Sequence, residues 1–193
     1  MSTAFSHLCK CIIETNFLGL ADFHTADQLS LPEGLQQVYW MDSTRTMLVR
    51  QCWRLILDII VTKQTVILEG KAGRGKSMFL LYIIFRILFC ARHNNGSFPG
   101  VPIDRDPDIA LLFYKDRNGF GHIVDLDNIV ILKKDEPGPK AYFYFSDNCD
   151  IGDAHPGSVL TMAVTSGDED KMIEFRKRLQ GVGTSGTTLF LPR

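Results

Sequence analysis

Gly70-Lys71-Ala72-Gly73-Arg74-Gly75-Lys76-Ser77 is the stretch that decides how this chain folds. It fits G-x-x-x-x-G-K-[ST], the phosphate-binding loop of nucleoside triphosphatases. Its flanks fit as well. Thr65-Val66-Ile67-Leu68-Glu69 reads as a buried strand entering the loop, and Met78 to Cys90 reads as the helix leaving it. Glycines allow positive φ and a close approach of backbone to phosphate. Successive amides then point into one concavity, and the helix N-terminus adds a favourable dipole. Lys76 would reach the β- and γ-phosphates, and Ser77 would ligate Mg²⁺. The nucleotide-binding set expected from the motif is Gly70, Gly73, Arg74, Gly75, Lys76, Ser77 and Met78. Lys71 and Arg74 occupy variable loop positions, where contact with nucleotide and exposure to solvent are both open.

The 193 residues suffice for one ordinary domain with a real core. An apolar content of 45% with 22% charged residues argues against disorder. A formal charge of −1 gives no reason to expect attraction to nucleic acid or to an anionic membrane. Five scattered cysteines make no disulfide framework and suit a reducing compartment. Cys9-Lys10-Cys11 lacks a second Cys or His pair at zinc spacing. No secretory segment stands out, so a cytoplasmic location is expected. The apolar run 78–90 is too short to span a bilayer.

Outward from the loop, residues 1–40 read as an irregular lead-in ending near the turn signal Leu31-Pro32-Glu33-Gly34, and 41–193 as the domain proper. A helix is expected from Asp42 or Ser43 to about Ile60, burying Met47, Leu48, Cys52, Leu55, Ile56 and Ile59. The helix after the loop is apolar all round and must be covered on every side. Residues 92–108, with three prolines, read as a loop. Strands follow at 109–114, 122–126, 129–132, 141–145, 158–164 and 187–191, with an amphipathic helix at 168–179 turning Met172, Ile173, Phe175 and Leu179 inward. The expected fold is α/β, with three layers: a mainly parallel P-loop sheet, helices on both faces, and a small β-rich insert.

A phosphate loop needs a second acidic residue for Mg²⁺, at the end of another core strand. Asp147, after Tyr142-Phe143-Tyr144-Phe145, leads; Asp116 is the main rival and Asp150 a further one. A turn cap shared with Asn148 would also explain Asp147. Many such enzymes place Glu directly after the acidic residue, but here it is Asn148. An amide orients water and is no base, so slow hydrolysis is expected of a catalytic set of Lys76, Asp147 and Asn148. Thr165 and Ser166 end the next strand, where γ-phosphate contact and helix capping are both open readings. The five histidines show no pairing that assigns them a role.

Leu31-Pro32-Glu33-Gly34, Val38-Tyr39-Trp40, Val66 to Tyr82, the aromatic strand to Asp147, Thr165-Ser166, Glu174-Phe175 and Thr188-Leu189-Phe190-Leu191-Pro192 follow one another along the chain. That order of motifs resembles the P-loop domain of Crinkler-type proteins, effectors of oomycetes and some fungi related to the retrotransposon-hot-spot proteins of trypanosomes. The resemblance covers roughly residues 31–193. It implies an AAA+ or STAND-like switch NTPase, commonly joined to a nuclease-like or kinase-like domain. A Crinkler effector is secreted and reaches the host nucleus. This chain departs in ending at Arg193, in showing no secretion signal or translocation motif, and in Asn148.

The leading expectation is therefore an ATP- or GTP-binding switch module with Mg²⁺ and slow hydrolysis. The alternatives are a small-molecule or nucleotide kinase, and a non-hydrolysing nucleotide-binding interaction module. Two very apolar helices also suggest self-association or a partner domain.

Overall fold

Two long helices are set among strands in the first half of the chain, and strands dominate the described residues after them. In the computed structural model, Gln28–Ser30 forms β1, Thr46–Leu48 β2, Gln51–Ile60 α1, Thr65–Glu69 β3 and Lys76–His93 α2. Ser97–Phe98 (β4) and Val101–Pro102 (β5) follow, then Ala110–Lys115 (β6), Phe120–Val124 (β7) and Ile129–Lys134 (β8). Ala141–Ser146 (β9), Leu160–Thr165 (β10) and Thr187–Phe190 (β11) complete the order. The structure describes residues 5, 6, 9, 10, 13, 28–30, 46–63, 65–71, 73, 75–93, 97–98, 101–102, 106, 108–134, 136–147, 158–165, 173, 177 and 187–190.

Seven strands form one mixed sheet in the order β11-β3-β10-β9-β6-β7-β8. The five from β11 to β6 are parallel, and β7 and β8 extend the sheet as an antiparallel meander. Segment 109–132 is thus part of the main sheet and not a separate insert. Near-continuous burial of β3, β6, β9 and β10 explains their apolar runs, since a parallel strand is covered on both faces. Successive side chains alternate between the faces. Val66, Leu68, Leu112, Tyr114, Phe143, Phe145, Met162 and Val164 join one core cluster with α1 and α2. Ile67, Phe113, Tyr144 and Ala163 join the cluster on the other face. Both long described helices therefore lie on one side. Of the helix expected at 168–179, residues 173 and 177 are helical. Ile173 is exposed there, against the expectation that it points inward.

The helix after the loop is buried from Phe79 to Ala91, as its all-round apolar character demands. At about 1.5–3 kcal/mol per fully buried large aliphatic or aromatic side chain, it is a main contributor to the core. α1 covers its outer side through Trp53, whose ring lies 5.7 Å from those of Phe79 and Tyr82. Here the structure corrects two expectations. α1 begins at Gln51, because Thr46–Leu48 pairs with Gln28–Ser30 as a strand. Its buried face is Trp53, Ile56, Leu57 and Ile60, while Leu55 and Ile59 are 64% and 42% exposed. The loop expected at 92–108 contains the β4–β5 hairpin.

The lead-in is tied to the domain. Phe5, Cys9 and Ile13 are helical, buried and part of the main core cluster. The β1–β2 pairing also crosses the expected boundary at residues 40 and 41. No helix among the described residues is long and apolar enough to cross a membrane.

Candidate functional site

Parallel register sets the site, because it brings four strand ends to one level. Thr165 pairs with Glu69, Ala163 with Ser146, and Ser146 with Lys115. The chain leaves β3 towards β6 on one side and leaves β10 towards β11 on the other. The carboxyl ends of β3 and β10 thus flank the point where strand order reverses, the place where open α/β sheets bind ligands. Loop 70–77 springs from β3 at this point.

Within the loop, Gly73 and Gly75 have φ of +77° and +82°. Only glycine enters that region without strain. α2 begins at Lys76 and has no acidic residue of its own in its first turn, so its sequence does not offset the positive dipole end. Phe79 N donates to Gly75 O at 2.9 Å and starts the helical ladder. Lys76 is 7% exposed. Its ammonium curls over the loop, donating to the carbonyls of Gly70 at 2.5 Å and Lys71 at 2.8 Å. Met78 lies in the first helical turn and is half-buried. Arg74 lies outside the described residues.

Asp147 follows β9 directly and is 7% exposed. Its amide donates to Lys115 O at 2.9 Å, which ties the end of β9 to the end of β6. Ser77 Oγ donates to Asp147 Oδ1 at 2.8 Å. The other oxygen, Oδ2, is buried and accepts no hydrogen bond from a described residue. The sheet thus brings together the loop lysine, the loop hydroxyl and the expected carboxylate. Asn148 and Asp150 lie outside the described residues, as does Ser166. Thr165 is buried at the end of β10, between the strands of the loop and of Asp147.

Asp116, the rival carboxylate, has a different task. Its Oδ1 accepts from the amides of Asn118 at 2.8 Å and Phe120 at 3.1 Å, closing the β6–β7 turn. Its Oδ2 stands 3.4 Å from Nε2 of the buried His122. Burial opposes ionisation of Asp116, but hydrogen bonds from His122, Phe120 and Asn118 outweigh it and hold the carboxyl below its ordinary value. His122, given no role from sequence, is thus part of the turn's support. Its ring stacks on Tyr114 and meets the Phe5 ring edge-on at 4.8 Å.

Sequence reasoning passed over Arg117. Its Nη2 lies 3.4 Å from Ser77 Oγ, and its Nε lies 3.8 Å from Asp147 Oδ2. The polar run Lys115-Asp116-Arg117-Asn118-Gly119 reads only as a turn. The signal that it belongs to a site is the position of β6 beside β9, which is a property of the topology.

The electrostatics are asymmetric in a telling way. Burial lowers Lys76 from its ordinary value, and the nearby Asp147 only partly restores it. Burial raises Asp147, and Ser77, Arg117 and Lys76 do not cancel that rise. The protein therefore holds two opposite charges out of water without fully compensating either. Among the described residues no three His, Cys, Asp or Glu side chains converge to hold a metal. One hydroxyl and one carboxylate are nevertheless the set that suits Mg²⁺, which keeps waters and takes phosphate oxygens.

Comparison with protein-family models, with characterised proteins and with solved structures gives no match to this chain.

Proposed function

We propose that this chain binds a nucleoside triphosphate, ATP or GTP, with Mg²⁺ and hydrolyses it slowly, as a switch module of the Crinkler-like P-loop type. The observation that carries this reading is the 2.8 Å bond from Ser77 Oγ to Asp147 Oδ1, beside a buried Oδ2 that accepts no hydrogen bond from a described residue. A loop hydroxyl and a strand-end carboxylate converging there are the ligands that a phosphate-loop metal requires. The uncompensated charges fit too: a polyanion suits Lys76, and a dication suits Asp147.

In this reading the amides of Gly73 to Ser77 cradle the phosphates, and the α2 dipole favours their charge. Lys76 exchanges the carbonyls of Gly70 and Lys71 for β- and γ-phosphate oxygens. Ser77 and Asp147 would hold Mg²⁺, which would supply neutralisation of phosphate charge. Asn148 orients the attacking water but cannot take its proton, and turnover is correspondingly slow. Titration calorimetry with ATP and GTP, with Mg²⁺ and with chelator, tests the binding step. Absence of Mg²⁺-dependent binding of either nucleotide overturns the reading. Phosphate release without an added acceptor separates hydrolysis from a kinase activity. Binding without release assigns the chain to a non-hydrolysing interaction module.

A further inference from the structure

Arg117 stands beside the two proposed metal ligands, Ser77 and Asp147. A structural arginine–carboxylate pair is short and often bidentate, with N–O distances of about 2.7–2.9 Å. Arg117 instead approaches Ser77 Oγ at 3.4 Å and Asp147 Oδ2 at 3.8 Å, and its side chain is 43% exposed. Its guanidinium is therefore near both groups and bound tightly to neither.

Its backbone, by contrast, is held firmly. Asp116 N donates to Phe120 O at 3.0 Å, and Gly119 N donates to Asp116 O at 3.0 Å. The Asp116 carboxylate accepts two further amides from the same turn. Gly119 closes it with φ of +87°. A rigid turn thus carries a loosely held cation to the edge of the phosphate loop.

Building on the function proposed above, we infer that Arg117 recognises the terminal phosphate and makes the site select nucleoside triphosphate over diphosphate. Ser77 and Asp147 would hold Mg²⁺, which would supply charge neutralisation to the β- and γ-phosphate oxygens. A guanidinium close to that serine's hydroxyl is within reach of the same oxygens. Once Asp147 serves the metal, Arg117 loses its attraction to that carboxylate. The terminal phosphate is then the anion its planar fork matches best. Lys76 spans β- and γ-phosphates and is retained in part by a diphosphate, whereas Arg117 reaches from the far side, on the turn after β6.

Calorimetry with ATP and ADP, and with GTP and GDP, all with Mg²⁺, tests this on the wild type, Arg117→Ala and Arg117→Gln. The wild type should prefer the triphosphate by about tenfold to a hundredfold, the worth of one charge-assisted contact. Both variants should lose most of that preference, keeping only the share Lys76 supplies, while binding the diphosphate as the wild type does. Preference retained in full in either variant overturns the assignment, and so does equal weakening for both nucleotides. A wild type that binds both equally overturns Arg117's role alone. A wild type that binds neither overturns the underlying reading as well. Thermal melting checks that both variants stay folded, as the exposed position of Arg117 leads us to expect.

Discussion

The Ser77 hydroxyl and the Asp147 carboxylate meet at 2.8 Å although 70 positions separate them in sequence. Serine at the start of a helix has solvent or backbone available, and an aspartate at a strand end would ordinarily face water. Asp147 is instead buried with its charge incompletely compensated, which is a cost to the fold. Such a cost at a strand end beside a glycine loop is intelligible as preparation for a cation.

Lys76→Ala should weaken binding of Mg²⁺–nucleotide by about tenfold to a hundredfold through loss of a charge-assisted contact. Calorimetry on the two proteins measures this directly. Equal affinities would sink the role given to Lys76.

Asp147→Asn should abolish the Mg²⁺ dependence of binding and leave the apoprotein at least as resistant to urea at pH 7. It removes a buried charge while its amide oxygen can still accept from Ser77. A variant that unfolds more easily while keeping Mg²⁺-dependent binding would show that Asp147 is structural. Asp150→Asn, tested alongside, should be far milder.

Asp116→Ala should cost about 1–3 kcal/mol of stability at neutral pH, because it leaves turn amides without their acceptor. The sign with pH follows from the lowered carboxyl. A carboxylate more acidic in the folded than in the unfolded state stabilises fully above its unfolded value. That contribution is lost as pH falls through the folded value. The gap between wild type and variant should therefore close in acid. Urea titrations at several pH values measure it, and a gap that widens in acid contradicts the assignment.

Gly138→Ala should destabilise the fold by about 1–3 kcal/mol through overpacking. A β-carbon there would lie 2.8 Å from the ring of Phe113, and one at Gly121 would meet the same ring from elsewhere at 2.8 Å. Phe113 is fully buried and pairs with Tyr144 at 4.7 Å, so it has little freedom to yield. Thermal melting of both glycine variants provides the check; unchanged midpoints would mean that the ring moves.

Self-association is expected through α1, where Leu55 and Ile59 project outward one helical turn apart. Light scattering across a concentration series should show mass above the monomer, and Leu55→Gln with Ile59→Gln should remove it. A strict monomer with and without nucleotide would leave α1 as nothing more than the cover of α2.

The strand, loop and helix around Lys76 were legible because each residue type there has a local reason: β-rich apolar run, glycines at positive φ, apolar helix. Asp147 was legible for a related reason, since an aromatic strand ending in a carboxylate points to a core strand end. Arg117 was not, because its neighbours dictate only a turn, and its proximity to Ser77 arises from β6 lying beside β9. The face of α1 was misjudged by about one residue. Met47 and Leu48 share a helical phase with Leu55 and Ile59, but they are drawn into a strand with Gln28–Ser30. The helix then turns Trp53 towards Phe79 and Tyr82. Long-range pairing overrode local periodicity there.

Phe5 packs against Tyr114 and His122, with ring centroids at 4.7 and 4.8 Å. His122 in turn props the carboxylate that shapes the turn of Arg117. Phe5 is thus wedged against the β6–β7 hairpin that carries the far wall of the proposed site. A fragment begun at residue 41, where composition suggests a natural cut, would retain every position of the glycine motif yet lose that wedge. It would pass for an intact phosphate-binding domain by its sequence while its arginine had lost its footing.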